Sequence, residues 1–260
     1  MVNSITSRDN PRIREYVQLS LQKKARTRAG RFVLEGVKLL EEACFSGIEI
    51  ESVYITPECL ESGKSQLAVL KQLDEKVFLV TGAAASRLFQ SKTPQGVCAV
   101  CRIPEHRPDF VKMGRYLGLW DLQDPGNVGT MIRTADALGF DGVILSRDCC
   151  DLYNLKTVRA AMGALFRMPV LVTDMQAFVT EYRDKLTFYA SVVDADAPGI
   201  TSIQFPAGSV MMIGNEGNGL SAEQVALCGN RVTIPMIGRA ESFNAAMAAT
   251  ILMWEMCRRS

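Results

Sequence analysis

Six short apolar runs recur between Leu117 and Ile234: Leu117–Leu122, Gly142–Leu145, Val170–Val172, Thr187–Val193, Val210–Ile213 and Val232–Ile234. None alternates strictly between apolar and polar residues, so each predicts a strand covered on both faces. Segments with apolar residues at helical spacing lie between most of them: Val128–Leu138, Leu155–Arg167, Met175–Leu186 and Ala222–Leu227. Strands that alternate with helices in this way predict an α/β domain built on a parallel sheet. The stretch Arg231–Cys257, RVTIPMIGRAESFNAAMAATILMWEMC, closes the pattern with a strand, a turn and a long apolar helix. Small residues crowd the first turns of that helix (Ala245, Ala246, Ala248, Ala249), which lets a ligand or another backbone approach. Ser242 and Asn244 place a hydroxyl and an amide at its mouth, where backbone N–H groups lack helical partners. Alone, the stretch reads equally well as an ordinary capped helix.

The residues before this domain alternate too. A helix is expected from Asn10-Pro11 to about Leu21, then a strand at Arg31–Leu34 and a helix over Gly36–Phe45. A strand at Glu51–Thr56, a helix over Glu58–Leu73 and a strand at Val77–Val80 follow, then a short helix Ala83–Phe89 and a strand Gly96–Arg102. Ile103–Asp109 holds two prolines and several charges and predicts a linker. The expected organisation is a small α/β domain over 1–102, a linker over 103–115 and a larger α/β domain over 116–260.

The chain of 260 residues is 48% hydrophobic, enough for a substantial core. No run approaches the ~18 uninterrupted apolar residues of a membrane span. The first residues, MVNSITSRDNPRIREY, lack the apolar core of a signal peptide, so a cytoplasmic protein with no membrane partner is expected. Charge is uneven. Met1–Arg31 carries eight Lys or Arg against Asp9 and Glu15, a net +6, which leaves −5 on the rest of a chain whose total is +1. A basic arm on a mildly acidic protein points to a polyanion, though a solvated helical face has the same composition. Cys98 and Cys101 form a C-x-x-C inside an expected strand with no second ligand pair, and the one histidine, His106, falls in the linker. No metal site is expected; the eight cysteines read as reduced, small apolar residues.

Two further stretches lie where a strand of the larger domain gives way to a helix. Asp121–Thr134, DLQDPGNVGTMIRT, offers Asn127 as a helix cap and Arg133 in the second turn, where an Arg can bind phosphate or pair with a surface carboxylate. Ile213–Leu220, IGNEGNGL, has three glycines and two asparagines and one charge, Glu216. Such a loop can wrap a polar ligand through its main chain, or can simply turn tightly into the helix after Ser221. Ligands of open α/β sheets gather at the carboxyl ends of strands. No dinucleotide or P-loop fingerprint is present.

Taken in order, DPGNVGTMIRTA, IGNEGNGL and IPMIGRAESFNAAMAA resemble the three signature motifs of the SpoU (TrmH-type) RNA ribose 2′-O-methyltransferases of the SPOUT superfamily. The resemblance covers Tyr116 to the end. More loosely, NPRI, the basic run, RFVLEGVKLLEEA and TPQGVCAV are similar to the family's N-terminal RNA-binding domain, itself similar to kink-turn-binding ribosomal proteins. The resemblance implies a SPOUT α/β domain with a deep trefoil knot, and a homodimer formed through it. It also implies S-adenosylmethionine held by Gly214, Ile234 and Phe243, with Met236 nearby. Phe243 stands where the family usually has Leu.

For chemistry, the resemblance implies Arg133 as the general base. A guanidinium is a poor base, so a second role is that Arg133 grips the neighbouring phosphate and stabilises the alkoxide while phosphate or Glu216 takes the proton. Ser242 and Asn244 would orient the ribose or the cofactor carboxylate, and Asn127 would hold the first motif's loop. Lys156, Arg159 and Arg167 on one expected helix would extend the RNA path, or are ordinary surface charges. Ribosomal RNA is the preferred substrate. Transfer RNA is the alternative, and a second alternative is a non-catalytic RNA-binding or ribosome-assembly protein that retains the fold.

Overall fold

The computed structural model describes residues 3–61, 70, 73–89, 94–105, 109–110 and 114–258. His106, and residues 62–69 and 71–72 of the expected first-domain helix Glu58–Leu73, lie outside that set. The chain forms two compact units, Met1–Glu105 with Tyr153–Phe166, and His106–Leu152 with Arg167–Ser260.

The first unit contains β1 (Asn3–Ile5), α1 (Pro11–Leu21), α2 (Lys23–Ala29), β2 (Arg31–Glu35), α3 (Val37–Phe45), β3 (Ile50–Ile55), α4 (Pro57–Glu61), β4 (Val77–Val80), α5 (Gly82–Leu88) and β5 (Val97–Arg102). Its sheet runs β1-β4-β3-β5-β2, with β5 antiparallel to both neighbours and the remaining pairs parallel. Asn10 starts α1 by accepting from the Arg12 N–H, and Pro11 supplies the preset first turn. Ile13, Tyr16 and Leu19 then face the sheet at helical spacing and pack with Val33, Tyr54, Phe78 and Val100.

Two elements of this unit were not expected. β1 is a three-residue edge strand, too short to leave a sequence signal. α2 consists mostly of charged residues, and its fold rests on Arg26, which is buried and donates to the carbonyls of Leu19 and, at 3.3 Å, Ser20. One side chain thereby satisfies the last carbonyls of α1 and anchors α2. Gly30 ends α2 at φ +63°.

The second unit is built on six strands: β6 (Arg115–Leu119), β7 (Gly142–Ser146), β8 (Val170–Thr173), β9 (Thr187–Ser191), β10 (Ser209–Ile213) and β11 (Asn230–Val232). Their order is β11-β9-β10-β6-β7-β8, and every pairing is parallel, as the apolar runs require. The helices of this unit are α6 (Pro125–Ala137), α8 (Met175–Tyr182), α9 (Ala222–Cys228) and α10 (Ala245–Arg258). Because the strands are parallel, their carboxyl ends share one edge, and β6, β9, β10 and β11 all deliver their following loops there.

The expected helix Leu155–Arg167 is shorter. Here α7 (Leu155–Ala161) stops at Met162 and Gly163, both left-handed at φ +49° and +90°, and a 3₁₀ turn follows over Ala164–Phe166. A Cβ on Gly163 would lie 2.7 Å from the Cβ of Glu42, so the close approach needs glycine. This segment belongs to the first unit: the ring of Phe32 lies 5.0 Å from that of Tyr153 and 5.9 Å from that of Phe166, and Arg159 pairs with the buried Glu35. Cys98 and Cys101 are buried in β5, where burial pushes both thiols up, and all eight cysteines are thiols outside any disulfide. Among the described residues no helix is long and apolar enough to cross a membrane, and no three metal-ligating side chains cluster.

Candidate active site

A cavity of about 480 Å³ opens at the carboxyl ends of β9, β10 and β11. Its walls are Ser191–Val193 after β9, Ile213–Leu220 after β10, Val232–Ile234 and Met236 after β11, and Glu241, Ser242, Phe243, Ala245, Ala248 and Leu252 on and before α10. The volume lies within the roughly 300–1,000 Å³ usual for small-molecule sites. The apolar side chains suit a flat ring, and the glycine loop offers main-chain polar groups. Its only charged wall residues among those described are Glu216 and Glu241. Two carboxylates and no Lys or Arg favour a cationic ligand over a phosphate. S-adenosylmethionine, with a sulfonium and an ammonium, fits that wall. All four residues expected to hold it (Gly214, Ile234, Met236 and Phe243) line the cavity.

The glycine loop owes its shape to local chemistry. A Cβ on Gly214 would sit 2.3 Å from the carbonyl carbon of Gly219, so only glycine allows the two backbones to meet. Asn215 and Gly219 exchange backbone hydrogen bonds of 3.2 and 2.9 Å. The Asn215 carboxamide oxygen accepts from the N–H groups of Gly217 and Asn218. The loop is thus a closed ring of hydrogen bonds with Glu216 at its tip.

Glu216 reaches from that tip to the start of α6. One carboxylate oxygen accepts from the Gln123 N–H at 3.0 Å; the other accepts from the Asp124 N–H at 2.9 Å and the Asn127 amide at 3.2 Å. Asn127 in turn accepts from the Asn244 amide at 3.2 Å. The Asn244 oxygen caps α10 by accepting from the N–H groups of Ala246 and Met247. This one-directional chain, Asn244 to Asn127 to Glu216, joins the three motif stretches. Burial raises the pKa of Glu216, but the N–H donors of Gln123, Asp124 and Asn127 lower it by more, and the carboxyl ends below its ordinary value. A carboxylate so engaged is a weak proton acceptor.

Asn127 is therefore not the cap of α6. Asp124 is, accepting from the Asn127 N–H at 2.8 Å, with Pro125 as first helical residue. The helix starts three residues earlier than its apolar spacing indicates, because proline's fixed φ and missing N–H suit the first position. Arg133 consequently sits in the third turn, not the second. It is exposed, pairs with no carboxylate among the described residues, and lies outside the cavity wall. Gly126 and Gly129 occupy the same helical stripe, seven and four residues before it. Long helical side chains lean toward the N-terminus, which directs Arg133 toward the start of α6. Asn127 and Asn244 also lie off the wall, joined to it by hydrogen bonds, whereas Ser242 lines it with a hydroxyl that has no partner among the described residues.

The basic residues sort into engaged and free. Arg26 is buried, Arg31 pairs with Glu15 and Glu51, and Arg12 stacks over the ring of Phe78. Arg14, Lys23, Lys24 and Arg28 remain exposed, with no ion pair among the described residues. The expected basic path through Lys156, Arg159 and Arg167 is largely spent: Arg159 holds Glu35, and Arg167 grips Asp136 through Nε and Nη2, at 2.7 Å for the latter. The helix break at Met162 also removes Arg167 from the helix that carries the other two.

Sequence reasoning passed over Asp121, Gln123, Ser146 and Asn215, which bind the loops to one another, and Ser191–Val193 on the cavity wall. The hydroxyl of Ser146 donates to Asp121 at 2.8 Å, across twenty-five positions, and no local pattern marks such a pair. The strand was legible, although it ends at Ser191 and not at Val193; the place of its end on the wall was not.

Residues 114–254 match the family described as SpoU rRNA Methylase, and residues 10–99 match an MRM3-like substrate binding domain. The chain is 32% identical over 256 residues to the 23S rRNA (guanosine(2553)-2′-O)-methyltransferase RlmP of Bacillus subtilis, covering 98% of this chain and 99% of that one. It is 31% identical to the 23S rRNA (uridine(2479)-2′-O)-methyltransferase of Streptomyces viridochromogenes, over 98% and 92%. Among solved structures, an AdoMet-bound rRNA methyltransferase of Sinorhizobium meliloti superposes with a TM-score of 0.82 at 30% identity, over 99% and 98% of the two chains.

Proposed function

The chain belongs to the SpoU rRNA Methylase family, and on that premise we propose that it transfers a methyl group from S-adenosylmethionine to a ribose 2′-hydroxyl of ribosomal RNA. The observation that carries this reading is the hydrogen-bonded chain from Asn244 through Asn127 to Glu216. It fixes the cavity, on one side, against α6, which presents Arg133, unpaired among the described residues, on the other. A cation-favouring pocket and a free arginine on a braced helix are what transfer to a polyanion needs.

When bound, S-adenosylmethionine supplies an electrophilic methyl group and a neutral thioether leaving group. The protein's share is placement. The main chain at Gly214, Ile234 and Phe243, with Met236 beside them, forms the cofactor's bed, and Glu216 and Glu241 favour its positive charge. Ser242 is free to orient ribose or cofactor at the mouth of α10. Arg133 would grip a phosphate next to the target and stabilise the negative charge that develops on the 2′-oxygen as its proton leaves. The hydroxyl proton passes to water as the 2′-oxygen is methylated. Glu216 is the brace of this assembly and not its base. Arg14, Lys23, Lys24 and Arg28 give the first unit an exposed cationic face for the RNA backbone.

The protein is placed in the cytoplasm, with ribosomal RNA as its partner, and works as a homodimer through the second unit. Support for the dimer comes from α10: Met247, Ile251 and Trp254, at helical spacing, are 53%, 36% and 57% exposed while the opposite face is buried. The family's trefoil knot is proposed for the segment that closes the cavity between Gly214 and Ala248. The test of function is transfer of a labelled methyl group to ribosomal RNA from cells lacking this protein, followed by nucleoside analysis. A new 2′-O-methylated nucleoside is expected. Cofactor binding with no transfer to any RNA, including ribosomal precursors, would move the protein to the non-catalytic alternative.

A further inference from the structure

Asp121 lies two residues past the end of β6 in a left-handed conformation, φ +61°, one of two non-glycine residues so held among those described. Aspartate tolerates this region better than most side chains, yet it persists only where its surroundings enforce it. Four elements do so here. The Ser146 hydroxyl, at the end of β7, donates to Oδ1 at 2.8 Å, and the Asp121 N–H donates back to Ser146 Oγ at 2.9 Å. The amide of Gln224 approaches Oδ2 at 3.5 Å from the first turn of α9. The Asp121 carbonyl accepts from Asn215 Nδ2 at 2.9 Å and from Gln123 Nε2 at 3.0 Å.

These partners are the two ends of the cavity's glycine loop and the start of the arginine helix. Asn215 shapes the loop with its oxygen while its nitrogen holds Asp121. Gln224 closes the capping box with Ser221, immediately after the loop. Gln123 is held by Asp121 through its side chain and by Glu216 through its N–H. We propose that Asp121 is a positioning residue for methyl transfer: its left-handed kink and carboxylate set the glycine loop, and through Glu216 the start of α6, in one fixed relation. It touches neither cofactor nor RNA itself, and the proposal rests on the methyl-transfer reading for its functional consequence.

The test compares Asp121→Gly, which keeps the left-handed backbone but removes the carboxylate, with Asp121→Asn, which keeps the backbone and an acceptor for Ser146. Two readouts are used on the full-length chain. The first is amide hydrogen exchange without cofactor. Asp121→Gly should speed exchange at Gly217, Asn218, Gln123 and Asp124 by about tenfold, the size of one or two lost hydrogen bonds. The second is steady-state methyl transfer. Asp121→Gly should raise KM for S-adenosylmethionine and lower kcat/KM by about tenfold, with Asp121→Asn recovering most of the loss. A merely structural residue would lower the melting temperature and leave KM and the loop amides alone, and that result overturns the proposal. Should Asp121→Gly fail to fold, Ser146→Ala removes one of the same bonds and must shift both readouts in the same direction; unchanged values again overturn it. If the wild type transfers no methyl group, the functional reading fails, while hydrogen exchange still decides whether Asp121 sets the loops.

Discussion

Replacing Glu216 with glutamine separates a brace from a base. The carboxylate accepts three hydrogen bonds, from Gln123, Asp124 and Asn127. Glutamine has nearly the same shape, but one terminal atom becomes an NH₂ group that opposes an N–H donor. Hydrogen bonds to a charged acceptor contribute about 1.5–3 kcal/mol. The loop is exposed, so water replaces part of each lost bond, and about 1–2 kcal/mol of positioning is lost, a factor of about 5–30. Methyl transfer should therefore fall by about 5–30-fold in Glu216→Gln, with a raised KM for S-adenosylmethionine, because the same loop lines the cavity.

A general base contributes roughly 10²–10⁴-fold and leaves a titration in the rate profile. The pH dependence gives an independent check. The folded pKa of Glu216 lies below its ordinary value, so the stability it contributes is fully present above the unfolded value, about 4.3. That contribution is lost only as pH falls through the lower folded value. Between about pH 6 and 9 the brace is constant, and wild type and Glu216→Gln should show parallel profiles. The assay is kcat and KM over that range with labelled cofactor, plus calorimetric cofactor binding. A fall of about a thousandfold in kcat at unchanged KM would refute the brace and restore Glu216 as proton acceptor.

Arg133→Ala should lower kcat by at least about a hundredfold while cofactor affinity measured by calorimetry stays within about threefold, because Arg133 lies off the cavity wall; joint loss of both would make it a cofactor or folding residue. Gly214→Ala places a methyl group 2.3 Å from the Gly219 carbonyl carbon, so the loop must open; cofactor binding should weaken by about tenfold or more, and unchanged binding would show that the loop is not the bed of the cofactor. Trp254→Asp puts a charge in the exposed stripe of α10; sedimentation should give a dimer for the wild type and a monomer for the variant, and a monomeric wild type would overturn the proposed dimer.

The sheet was legible because its signal is local. Six apolar runs without alternation announce parallel strands, and the pairing bears this out; burial on both faces holds for the inner strands but not for the edge strands β8 and β11, which are partly exposed. Boundaries were less legible where one residue overrides a period. Pro125 moved the start of α6 forward, and left-handed Met162 and Gly163 ended α7 early. The site was legible as a set of loops and opaque as a mechanism. Asn127 and Glu216 are 89 positions apart, and Asn244 and Asn127 are 117 apart. No spacing rule links such partners, so a carboxylate used as a brace and one used as a base look alike in sequence.

The same reasoning explains why counting charge overstated the basic arm. Arg26 terminates α1 and Arg31 joins Glu15 to Glu51, so each stabilises the fold with the cation that composition assigns to RNA. An arginine already holding carbonyls or carboxylates has to break those bonds before it can meet a phosphate, at a cost comparable to the contact it would gain. Arg133 has no such bonds among the described residues, although it stands on a helix tied down at Asp124 and Asn127 by Glu216. An uncommitted cation on a rigid mount is oriented before the substrate arrives, so most of its interaction is available to the transition state. On the methyl-transfer reading proposed above, that combination, and not the number of basic residues, points to α6 as the face that meets the RNA.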